Sequence, residues 1–307
     1  LLQAIDAEGA ELLSAWSELD PTLGLRAGAS ENRGLQTLPW RFSLAESRVL
    51  LADMAGYNAD DADANFARAR EAVSALGPAN QFSPAVAIRV GQMKSRLAQY
   101  YSTLPASVSV AQELAREVVD SLQPLHEVQR SNLELEIPLL DAYSVLAEMA
   151  LASGKPSEAI SWLEKTADLR RSLGHASQPA IARIAAAKAI VLLAVAQSHL
   201  DPLPFQSIWQ HARDSLAILD TLRLPSGDLA PPELTQTATR QLAGSAMAWA
   251  VELQNHPPVS KAELVRICTP ACEAMRRMEK LVGPLSETDQ KWLDVLDTFR
   301  TVDQSQP

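Results

Sequence analysis

Residues 133–173, LELEIPLLDAYSVLAEMALASGKPSEAISWLEKTADLRRSL, decide how this chain folds. Residues 133–151 read as one helix and 157–173 as a second, joined by Ala152, Ser153, Gly154, Lys155 and Pro156. Gly154 suits the left-handed position that ends a helix, Pro156 is tolerated near the first turn of the next, and Gly174 closes that second helix. Together these signals spell an antiparallel helical hairpin.

The hairpin is not alone. Its first helix carries the pair Leu146 and Ala147, and the same pair recurs as Leu51 and Ala52, Leu97 and Ala98, Leu193 and Ala194, and Leu242 and Ala243. The steps between successive pairs are 46, 49, 47 and 49 residues. A period of roughly 20–50 residues marks a solenoid, whose units are too small to bury an apolar face alone and so stack on one another. An alanine beside each leucine lets a neighbouring helix approach while the leucine fills the adjacent gap. These ten residues are therefore the expected repeat-packing positions.

The remaining units follow the same plan, at 38–56 with 60–76, 83–103 with 107–127, 177–199 with 204–223, and 230–254 with 260–282. A leading helix is expected at 1–19 and a closing one at 286–301, with 20–37 a loop rich in Gly, Ser, Asn and Arg. Residues 224–232 carry three prolines and break the helical pattern. The expected fold is all-α: a right-handed α-solenoid of about five antiparallel hairpins with a terminal helix at each end. It fills residues 1–307 as a single domain, divided into 1–37, 38–282 and 283–307. Low aromatic content, 5%, and only 12 glycines agree with helix over strand.

Charge narrows the partners. The balance of 27 basic against 37 acidic residues gives a net of −10, which disfavours nucleic acid, since phosphate binding needs a basic stripe. The longest apolar run, 189–196, falls far short of the ~20 residues of a membrane span, so no membrane insertion is expected within this segment. The sequence opens at Leu1 without a methionine, which reads as a piece of something longer.

The run Leu146, Ala147, Glu148, Met149 and Ala150, then Gly154, then Ala159, Ile160 and Leu163, resembles a tetratricopeptide (TPR) repeat. The small residue after leucine in the first helix, the turn glycine and the alanine opening the second helix are that family's signature. Leu51, Ala52, Asp53, Met54, Ala55 and Ala64 echo it 95 residues earlier. TPR units have 34 residues and these are longer, in the style of extended TPR-like arrays of bacterial regulators. Some TPR domains hold a peptide's terminal carboxylate with Lys and Asn on the first helix. Here Ser144 and Glu148 stand on that face, which argues against such a clamp and for basic or amphipathic partners.

Catalytic signals are absent from the sequence. There is no Gly-rich phosphate loop, no G-x-S-x-G elbow and no H-E-x-x-H, and His126, His175, His199, His211 and His256 form no pair at metal or triad spacing. A zinc site needs four ligands, and Cys268 and Cys272 have no further Cys or His nearby. No cofactor and no metal is expected. Two readings of the cysteines stay open: Thr269 and Pro270 start a helix there, or Pro270 kinks one longer helix with both thiols on one face. Either allows a disulfide, which would indicate an extracytoplasmic compartment, or two small buried hydrophobes. Trp162 and Trp209 are expected to pack between repeats, and the run Asp60, Asp61, Ala62 and Asp63 to be a solvated helix start.

The resemblance implies a non-catalytic segment that binds a protein or peptide and reports to an attached domain. The style of the array is similar to the helical-repeat tails of bacterial serine/threonine membrane kinases, which places it in the periplasm as the kinase's sensor. The competing expectation is a stand-alone adaptor, or the ligand-sensing repeats of a cytoplasmic transcriptional activator.

Overall fold

A computed structural model of the protein describes residues 30–55, 61–77, 81–224, 227–228, 230–256 and 260–301. Twelve α-helices run through these residues: α1 Ser30–Ala55, α2 Ala62–Ser74, α3 Pro84–Ser102, α4 Val108–Val128, α5 Leu133–Ala152, α6 Pro156–Glu164, α7 Ala167–Leu173, α8 Ala180–Gln197, α9 Phe205–Asp220, α10 Pro232–Asn255, α11 Lys261–Val282 and α12 Glu287–Thr301. Extended pairing among the described residues is confined to β1 Arg223–Leu224 against β2 Gly227–Asp228, a two-residue antiparallel clip in the proline-rich break. The fold is all-α.

The chain divides into two compact units, Leu1–Val145 and Leu146–Pro307, with α5 running through the division. In the first unit α1 packs on α2 and α3 on α4, and α3 also meets α1 and α2. Gly91 makes the α3–α4 contact close: a Cβ there would fall 2.7 Å from Leu122 Cδ1. Phe66 stacks on Tyr100 at 3.6 Å between ring centres, and the Tyr100 hydroxyl donates to Asp63. Burial, then that hydrogen bond, raises the Tyr100 phenol to about 12. Asp63 is thus a partner for a core tyrosine as well as part of a solvated helix start.

In the second unit α8 packs on α6, α7, α9 and α10, α10 on α9 and α11, and α12 closes against α10 and α11. Here the core runs through Trp209, Leu242, Trp249, Leu264, Ile267, Met275 and Leu296. α8 has a mean hydropathy of 1.8 over 18 residues, apolar and long enough by composition to cross a membrane. Its position gives the physical reason for that composition: Ala182, Ala186, Ala187, Ala189 and Ala194 are fully buried between neighbouring helices. Such a helix is apolar nearly all round because it is surrounded.

Local chemistry sets the boundaries. Gly154 takes φ +69°, and the Lys155 N–H returns to the Ala150 carbonyl at 2.9 Å, the longer bond of a Schellman cap. The helix expected over 157–173 is broken at Lys165 and Thr166 into α6 and α7. Thr166 Oγ1 donates to the Leu163 carbonyl at 2.6 Å, and this local bond competes with the helical ladder. The loop expected over 20–37 is helical from Ser30 onward, with Gly34 inside the helix at a propensity cost of about 1 kcal/mol relative to alanine. The rest of that segment and the leading helix at 1–19 lie outside the described residues. The closing helix is α12.

The cysteine region follows the reading of one longer helix through Pro270. α11 is continuous through Pro270, so Thr269 does not start a helix. Cys268 and Cys272 are free thiols, both fully buried. Residues four apart on one helix have Cβ atoms about 5–6 Å apart, beyond the roughly 3.5–4.5 Å a disulfide spans. Of the two outcomes left open, a disulfide or two small buried hydrophobes, this structure has the second. Ala52, Ala98, Ala147, Ala194 and Ala243 are likewise all fully buried, with Leu97, Leu146, Leu193 and Leu242 buried and Leu51 half-buried.

Candidate functional site

Two charged pairs in the first unit share one geometry. Arg89 on α3 reaches Glu46 on α1 at 2.5 Å, and Arg96 reaches Asp53 at 2.6 Å. In each helix the two charges stand seven residues apart, two turns on one face. The first helices of two successive hairpins are thereby laced together, acid on the earlier and base on the later. Glu148 on α5 and Lys188 on α8 repeat that order in the second unit at 2.9 Å. Arg240 on α10 and Asp289 on α12 reverse it, with two bonds at 2.9 and 3.1 Å.

Between the first two pairs lies a cavity of about 340 Å³, lined by Glu46, Val49, Leu50, Arg89, Gln92, Met93 and Arg96. Val49 and Met93 are buried and form its floor, while Leu50 stands 44% exposed at its edge. Met54, one turn beyond Leu50, is 73% exposed. Gln92 is held by its side-chain amide, which donates to the Glu134 carbonyl on α5 at 3.0 Å. Arg89 lies over the Phe42 ring at 4.5 Å, which fixes the guanidinium from beneath.

The opposing side chains differ in exposure. Arg89 and Arg96 are 52% and 49% exposed, against 30% and 27% for Glu46 and Asp53. Helix α1 therefore supplies covered carboxylates and α3 the outermost cations. The sequence led to an acidic surface, and at this groove the groups that meet solvent first are arginines.

The other expected positions fall elsewhere. Ser144 is buried and donates to its own helix, at the Leu140 carbonyl, and Glu148 is paired with Lys188, so neither is offered to a ligand. Trp209 is buried, and its Nε1 donates to the Ile267 carbonyl at 3.2 Å, while Trp249 meets it edge-on at 5.8 Å. Trp162 is half-buried beneath Lys165, whose Nζ lies 4.1 Å from the ring centre. His256 caps the Glu252 carbonyl, whereas His211 sits inside α9, bonded to Gln197 Oε1 at 2.9 Å. Burial, then the neighbouring Arg170, pushes the His211 imidazole below its usual value.

Burial pushes the Cys268 thiol up to about 11 and the Cys272 thiol up to about 12, the latter with help from the Asp297 carboxylate. Both are poor nucleophiles at neutral pH. Among the described residues no three His, Cys, Asp or Glu side chains converge as metal ligands do.

No protein-family model, no curated protein and no solved structure matches this chain at a significant level. The groove between α1 and α3 must therefore be read from its own chemistry. The four charged residues of the groove form no recognised motif in the sequence. Their signal was present as acids at 46 and 53 and arginines at 89 and 96, the same seven-residue spacing on two first helices.

Proposed function

We propose that this chain is a non-catalytic helical-repeat segment that binds a protein or peptide along the exposed face of its first helices. The α1–α3 groove carries the reading: an apolar floor, the exposed Leu50 at its edge with the exposed Met54 one turn beyond, and fixed charges on both walls. Fixed charges around an apolar patch are the layout of a recognition surface.

In this reading the hairpins continue as a right-handed TPR-like solenoid, and the groove is one stretch of its inner wall. Recognition there serves a signalling polypeptide, with the sensor region of a bacterial serine/threonine membrane kinase as the class that the sequence resemblance implies. Leu50→Asp combined with Met54→Asp, placed in the full-length protein in its native cell, tests it. The fold is expected to persist, since both side chains are exposed, and the response to stimulus to be lost. An unchanged response would contradict a sensing role for the groove.

A further inference from the structure

We infer that the α1–α3 groove recognises an acidic amphipathic helix, with two carboxylates about two turns apart flanking an apolar pair. The inference rests on the binding role proposed above and adds the chemistry of the partner.

Three observations carry it. Arg89 engages Glu46 through Nη2 alone, and Arg96 engages Asp53 through Nη1 alone. A guanidinium has five N–H donors, so each arginine keeps donors for a second carboxylate. The two arginines are half-exposed, whereas the acids they hold are more covered, so an approaching chain meets the cations first.

Spacing defines the ligand. Arg89 and Arg96 lie seven residues apart on α3, about 10.5 Å along its axis. A partner helix laid along the groove matches that distance with acids at i and i+7. Its side chains at i+3 and i+4 then fall between the arginines, over Val49 and Met93 and beside Leu50. The chain's net charge of −10 opposes an acidic partner at long range. At physiological salt that repulsion is screened beyond about 8 Å, leaving contact chemistry to decide.

The test is fluorescence anisotropy with a labelled synthetic helical peptide carrying Glu at i and i+7 and Leu at i+3 and i+4. A counterpart with Lys at i and i+7 serves as the comparison. The intact chain is expected to bind the glutamate peptide at least about tenfold more tightly. A fourfold exchange, Glu46→Arg, Asp53→Arg, Arg89→Glu and Arg96→Glu, keeps both internal pairs while inverting the outermost charge, and should invert the preference. Should the exchanged protein fail to fold, Arg89→Gln with Arg96→Gln should abolish the preference instead. Equal binding of the two peptides, tighter binding of the lysine peptide, or no saturable binding overturns the acidic assignment. A photo-crosslinker at Leu50 separates the two levels: an adduct in the native cell keeps the groove as a binding site when only the charge assignment has failed, and its absence removes both.

Discussion

Trp209 on α9 donates its indole N–H to the Ile267 carbonyl on α11, three residues before Pro270. A proline inside a helix supplies no N–H and pushes the preceding turn's carbonyls outward, which opens that side of α11 to an outside donor. Pro270 and Trp209 thus act on the same stretch of α11. Trp209→Phe should keep most of the packing and lose the bond, costing about 1 kcal/mol, while Trp209→Ala should cost about 3–5 kcal/mol. Urea denaturation measures both, and a Trp209→Phe variant as stable as the wild type would deny the indole bond any role.

Gly91 presents a case in which two effects oppose. Alanine raises helix propensity by up to about 1 kcal/mol, but its Cβ would lie 2.7 Å from Cδ1 of the fully buried Leu122. Overpacking of this kind costs roughly 1–3 kcal/mol, so Gly91→Ala should destabilise. The double variant with Leu122→Ala should be less destabilised than the sum of the two single losses, and a simple sum would show that the residues do not touch.

Asp289 gives a pH signature. The Arg240 hydrogen bonds, followed by that of Ser286, hold its carboxyl below the usual range even though burial opposes them. A folded-state value below the unfolded one contributes stability at higher pH, lost as pH falls through the folded value. Asp289→Asn should thus cost about 1–2 kcal/mol near neutrality. Its deficit should shrink as pH falls below the ordinary carboxylate range and through the lower folded-state value, where the wild-type carboxylate protonates. Thermal melts across that range check it, and a deficit independent of pH would mean that packing alone holds the site.

Cys268 and Cys272 should resist alkylation in the folded protein and react together once it is unfolded, without reductant. Mass measurement after alkylation under the two conditions reads the outcome. A mass lower by the two hydrogens of a disulfide, with no alkylation on unfolding, would contradict the thiol state.

Much of the architecture was legible because helix signals are local. Gly154 and Pro156 mark a turn by backbone geometry alone, and the spacing of the Leu and Ala pairs follows the period of the helices that carry them. Pro270 was legible as a helix signal but not as a start or a kink, since that depends on whether residues on both sides find neighbours. Tertiary contact decided it: Ile267, Cys268, Ala271 and Cys272 are all buried in the second unit's core. The break at Thr166 was missed because a threonine inside a helical pattern discloses its local bond only in three dimensions. The groove was hidden for a similar reason. Glu46 and Arg89 are 43 residues apart, and the relative exposure of acid and base, which sets the sign of the surface, is a property of packing.

Whether a partner occupies the α1–α3 groove can be read by crosslinking. A photo-reactive residue placed at Leu50 or Gln92, with controls at Glu113 and Arg116 on the exposed side of α4, can be activated in the native cell and the adducts resolved by mass. One discrete adduct from both groove positions and none from α4 is the predicted result. Equal adducts from both faces, or none from the groove, would contradict it.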